Sequence, residues 1–168
     1  DYRPALQGPE RLTFAANLDA VGFAAYQASP AADNISGSVQ GDLANGELRL
    51  DARNFMLHLD TLFPEPWRYS EAHARLLWQL DDEAFTLRSP YLRVSGEEGE
   101  IAGDFLIRLR RDPAAEDYMD LRVGLHDGDA AHTAKYLPTR SPGLSPALGE
   151  WLQTAIRGVR IHQVFFQY

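Results

Sequence analysis

The densest gathering of side chains able to do chemistry is His126-Asp127-Gly128-Asp129, with His132 close behind. Two imidazoles and two carboxylates can ligate a divalent cation where a turn folds them inward. The same residues also spell an ordinary strand-to-helix turn, with Asp127-Gly128 at the turn and Asp129 capping the helix that follows. Asp and Gly are the default residues of such turns, so no metal site is assigned. The carboxylate runs Asp81-Asp82-Glu83 and Glu97-Glu98-Gly99-Glu100 also fall at turns, where solvation is expected rather than a raised carboxyl pKa. His58, His73 and His162 are scattered along strand-like runs as surface or half-buried ring positions.

Nucleophile motifs are missing as well. There is no Gly-x-Ser-x-Gly elbow, and no glycine-rich loop ending in Lys-Ser/Thr follows a strand. The single lysine, Lys135, sits near the end of an expected helix, where a cation offsets the helix dipole. Zero cysteines exclude disulfides, thiolate metal sites and a cysteine nucleophile together. The sequence therefore assigns no catalytic residue and no cofactor.

The elements that would position any site are mostly strands. Leu12, Phe14, Ala16 and Leu18 alternate with polar or small residues, and Val21, Phe23 and Ala25 repeat the pattern after Asp19-Ala20. Ile35, Gly37, Val39, Gly41 and Leu43 share one face of the next run, and Asn45-Gly46 reads as a two-residue hairpin turn before Leu48 and Leu50. Phe55-Leu59 reads as a short strand ending at Pro64-Glu65-Pro66. Leu76-Trp78-Leu80, Phe85-Leu87, Leu92-Val94, Ile101-Leu109 and Leu121-Leu125 continue the series. About nine or ten such runs, spaced by turn signals, make a mostly β chain. The expected fold is a large antiparallel meander, curled into a groove or an open sandwich.

The period changes only in the last third. A short helix is expected over Ala130 to Tyr136, and a second begins at Ser145-Pro146, with Leu148, Trp151, Leu152, Ala155 and Ile156 on one stripe and Gly158 as its stop. Residues 129–157 thus read as a helical insert before a final strand, Val159 to Tyr168. Residues 1–168 form one β-rich domain whose ends resemble cuts from a longer chain.

Composition narrows the class of function. The net charge of −8 and a pI near 5.0 argue against nucleic acid or a polybasic membrane-surface module. No apolar run approaches the ~20 residues of a spanning helix. The informative residues are apolar. Leu48, Leu50, Leu76, Trp78, Leu80, Phe105, Ile107 and Leu109 mark a broad face of large side chains, with few helical residues to cover it. A meander with such a face either packs it against another layer or curls it over a ligand.

Asp51 to Tyr168 resembles the YhdP-type proteins, large envelope members of the AsmA-like superfamily. The resemblance is carried by Leu50-Asp51-Ala52-Arg53-Asn54 leading into Leu57 and Leu59, by Leu62-Phe63 before the prolines, and by the strands of Leu76/Trp78, Phe85-Thr86-Leu87 and Gly103 to Leu109. Its most specific part is Lys135-Tyr136-Leu137-Pro138, followed by Ser145-Pro146-Ala147-Leu148, Trp151-Leu152 and Gly158. The resemblance implies a periplasmic segment of an inner-membrane-anchored bridge in a Gram-negative bacterium. Such a bridge moves phospholipid between inner and outer membranes along a hydrophobic β groove. It implies phospholipid or another acyl-chain ligand and neighbouring segments of the same chain as partners, with the eight residues above in the groove and Leu148, Trp151 and Leu152 on a helix at its end. Two other readings stay open: a non-catalytic structural or interaction module of an envelope scaffold with a solid core, and an enzyme with a dispersed site, which a metal bound at His126/His132 would favour.

Overall fold

The computed structural model describes residues 12–26, 30–129, 132, 135–136 and 139–140, and the backbone of 160–167. Eight strands follow in chain order: β1 (Phe14–Phe23), β2 (Ala31–Gly41), β3 (Asn45–His58), β4 (Trp67–Leu80), β5 (Ala84–Gly96), β6 (Gly99–Arg110), β7 (Tyr118–Asp129) and β8 (Arg160–Gln167). Each pairs antiparallel with the next, in one sheet of order β1 to β8. The expected meander is therefore observed, as a single unclosed, curled sheet.

Runs read as separate strands are joined through bends. Asp19-Ala20 lies within β1, Asn54 within β3 and Pro90 within β5. Ala20, Asn34 and Asn54 take left-handed φ values of 49°, 57° and 51°, and the Asn34 side-chain amide donates to the Asn54 carbonyl across 2.9 Å. Pro90 has no N–H for the ladder, and the register slips beside it between Ser89 and Leu92 on one side and between Arg75 and Leu77 on the other. Bulges bend a strand and sharpen its twist. Irregularities in β1 to β5 thus curl the sheet, and shorter expected runs merge into strands of up to 14 residues.

The turns differ in detail. Asn45-Gly46 is not the hairpin turn; both residues begin β3, and the connection is Asp42-Leu43-Ala44. The Asp42 carboxylate accepts from the N–H of Ala44 and Asn45, at 2.8 and 2.6 Å, and so makes the turn itself. Asp81 repeats the device between β4 and β5 by accepting from Glu83 and Ala84. Gly46 serves another purpose: a Cβ there would lie 1.9 Å from the Trp78 ring, which rests on it.

The C-terminal third departs from expectation too. His126-Asp127-Gly128-Asp129 is not a strand-to-helix turn but the end of β7, where His126 and Gly128 pair with Gln163 and Ile161 of β8. In the helix expected over Ala130 to Tyr136, the described residues His132, Lys135 and Tyr136 have 3₁₀ geometry. The helix carrying Leu148, Trp151 and Leu152 lies outside the described residues.

Candidate functional site: an apolar sheet face

Residues directly opposite in an antiparallel ladder point to the same side, and alternate residues of one strand to opposite sides. The register therefore sorts the residues between bends, and beyond the Asn54 bend Phe55 and Tyr69 join Ala52 and Ala72 in one cluster. One row runs Ala16, Val39, Leu48, Leu76 across β1 to β4 and continues as Phe105, Leu121 in β6 and β7. Beside it run Phe14, Gly41, Gly46, Trp78, Leu87, Ile107, Met119 and then Leu80, Phe85, Leu109. All eight residues proposed from the sequence thus share one face. Phe14, Val39, Leu87, Met119 and Leu121 belong with them and were not singled out, although their alternation carries the same signal.

The opposite face is charged. Arg49, Arg75, Arg93, Arg108 and Arg122 lie there in ion pairs with Glu47, Glu100, Glu83 and Asp104. Glu47 is bound by the guanidinium groups of Arg75 and Arg49, which hold its carboxyl below the usual carboxylate range. A hollow of ≈ 960 Å³ near the Asp42 turn is lined by Gln40, Glu47, Leu77, Arg88 and Leu106 of this face together with Phe14 and Trp78.

The apolar face divides into two halves along the strands. Toward the β3–β4 and β5–β6 turns it is packed: Ala32, Ile35, Ala52, Phe55, Tyr69 and Ala72 form one buried cluster, with Tyr136 and Trp67 against it. Toward the Asp42 and Asp81 turns it is open: Leu48, Leu76, Trp78, Leu80, Phe105 and Ile107 are only half-buried. Leu109 and Met119 are 45% and 44% exposed. Among the described residues no second layer covers this half. Phe14 and Trp78 stack at 6.2 Å over Gly41 and Gly46, and the Trp78 indole N–H donates to the Asp42 carbonyl at 3.2 Å.

The packed half holds the largest departure from the sequence reading. Glu98, expected in a solvated turn, is 2% exposed. Lys135, expected to sit on a helix dipole, places its ammonium 2.8 Å from the Glu98 carboxylate. The Tyr136 hydroxyl donates to the other Glu98 oxygen and accepts from Tyr69 at 2.9 Å. Burial pushes both phenols well above their ordinary pKa, so neither ionises in the working range. The Trp67 indole N–H donates to the Lys135 carbonyl at 3.1 Å, and its ring lies 5.2 Å from that of Tyr136. Arg140 ties the same segment to the β3–β4 turn through the carbonyls of Leu62 and Asp60. Together these contacts form a clasp across β4 and the β5–β6 turn.

No group of three or more metal-ligating side chains converges among the described residues. Comparisons with known proteins agree on one family. The model of the YhdP protein family matches residues 1–168, so its reach includes the first fifty residues, which the resemblance above did not cover. The intermembrane phospholipid transporter YhdP of Escherichia coli (strain K12) is 22% identical over 153 residues. That alignment takes in 91% of this chain and 12% of the relative, so the chain spans about one-eighth of that protein. No solved structure matches.

Proposed function

From the premise that this chain belongs to the YhdP family, we propose that it is one segment of a bridge that conducts phospholipid along its apolar face. One observation carries the reading: large apolar side chains stay half-exposed across seven strands while the reverse face is ion-paired. Six inter-strand spacings make the β1 to β7 width about 29 Å, and the six steps from Ala74 to Leu80 add about 20 Å along the strands. An acyl chain fills about half of the ~30 Å hydrocarbon core of a bilayer, so the face accommodates whole chains. Each CH₂ laid on it contributes ~0.8 kcal/mol, enough for occupancy without a polar anchor.

The mechanism is passive. Acyl chains lie on the Leu, Ile and Phe surface, the head group stays in water, and no residue does covalent chemistry. Repetition suits passage, because many equivalent weak contacts let a lipid move where one tight pocket would hold it. Among the described residues β1 and β8 are the edge strands, and on this reading they meet neighbouring segments of the same protein. On this reading the segment lies in the periplasm as part of an inner-membrane-anchored protein, a placement supported by the Escherichia coli relative being an intermembrane phospholipid transporter.

The test is phospholipid retention. The purified chain is expected to yield phospholipid by mass spectrometry of its organic extract and to take up a fluorescent fatty acid. Ile107→Asp should abolish uptake while leaving the β-sheet circular dichroism unchanged. Lipid-free protein that takes up no probe favours the scaffold-module reading instead.

A further inference from the structure

Resting on that reading, we infer that acyl chains occupy only the half of the apolar face that carries Ile107 and Trp78, and that the Glu98–Lys135–Tyr136 clasp excludes them from the half that carries Leu57. The two halves belong to the same strands and are equally apolar, so composition alone would load both. They differ in what lies on them. The Tyr136 ring packs against the Phe55–Tyr69 cluster and Trp67, and fills space that a chain would need.

The clasp is built to stay closed. Its ion pair is almost fully withdrawn from water, with side chains 14% and 2% exposed, and every polar atom of Glu98 named above has a partner. Lifting the segment would leave the Glu98 carboxylate buried beside the β5–β6 turn without its counter-ion, which is strongly unfavourable. Tyr69 and the Trp67 indole N–H would lose partners at the same time. A ligand held only by dispersion and apolar burial has nothing to offer these groups in exchange. The open half makes no such demand, because its side chains are already half-exposed.

Photocrosslinking tests the division. Benzophenone-alanine replaces Ile107 or Leu57 in separate full chains, which are mixed with phosphatidylethanolamine/phosphatidylglycerol vesicles and irradiated. Intact mass then reports the phospholipid adduct. The expected adduct at position 107 exceeds that at 57 by about tenfold, the partition set by roughly two CH₂ groups of burial. Equal adducts overturn the inference while leaving the lipid reading standing. No adduct at either position overturns both. In the Glu98→Gln/Lys135→Met background, which leaves no unpaired buried charge, the adduct at 57 should rise toward that at 107. If it stays low in a folded chain, the clasp is not what excludes the lipid. Should that background lose its β signature, Tyr136→Ala removes the ring, keeps the ion pair and carries the same comparison.

Discussion

The packed and open halves of the apolar face are continuous stretches of the same strands, yet opposite requirements shape them. In the packed half small residues, Ala52 and Ala72 at 1% and 0% exposure, let Phe55, Tyr69 and Tyr136 close over the sheet. In the open half Leu76, Trp78, Phe105 and Ile107 stand on the strands without a covering layer among the described residues. A sheet with one uncovered apolar side needs its stability from elsewhere. Here it comes from the packed half and its clasp, which frees the other half to remain a surface. The contrast separates residues that hold the fold from residues that meet a ligand.

The comparison breaks most visibly at Ala72. Ala72→Asp should bury an unpaired carboxylate and cost at least about 3 kcal/mol, with chemical denaturation reading the loss. Lys135→Met leaves the buried Glu98 carboxylate without its counter-ion, at an expected cost of about 3–5 kcal/mol. At ~2–4 °C per kcal/mol, thermal unfolding should then begin several degrees lower. Ile107→Asp, in the open half, should change stability by about 1 kcal/mol or less while abolishing lipid uptake. If Ile107→Asp unfolds the chain as Ala72→Asp does, the two halves are not functionally distinct.

Gly46→Ala sharpens the boundary of the open half. Its Cβ would displace the Trp78 ring, break the stack with Phe14 and cost about 1–3 kcal/mol. Tryptophan fluorescence should report the displaced indole, and a cycle with Trp78→Ala should show the two changes to be non-additive. The smallest effect is electrostatic. Backbone N–H groups of Ala84 and Glu83 hold the Asp81 carboxyl below its ordinary value of 3.8. A depressed folded pKa contributes stability that is present above the unfolded value and lost as pH falls through the folded one. Asp81→Asn should therefore remove that small contribution at neutral pH and flatten the acid side of the stability curve, so that the two chains converge in stability below pH ~4.

Alternation made most of the fold legible. Leu48, Leu50, Leu76, Trp78, Phe105 and Ile107 were placed on one face by period alone, because side-chain direction in a strand is a local property. Breakers misled where the sheet tolerates them. Asp19-Ala20 read as a break between two runs, yet ladder bonds on both sides carry β1 through it as a bend. Asn45-Gly46 misled in a similar way, since Gly46 is shaped by a ring from the next strand and not by a turn. Glu98 and Lys135 could not be found from spacing. They are 37 residues apart, and each sits in a local context with an ordinary surface explanation.

The sequence by itself determined the class of the protein: a β meander with one apolar and one charged side, no thiol chemistry, and a family signature around Lys135-Tyr136-Leu137-Pro138. Only the tertiary structure decided which part of the apolar side is core and which is surface. The reason is physical. Side-chain polarity and period are written residue by residue, whereas burial depends on what arrives from far along the chain. The segment carrying Lys135 and Tyr136 reaches back to Trp67, Tyr69 and Glu98, and its arrival turns half of a uniform apolar face into a core.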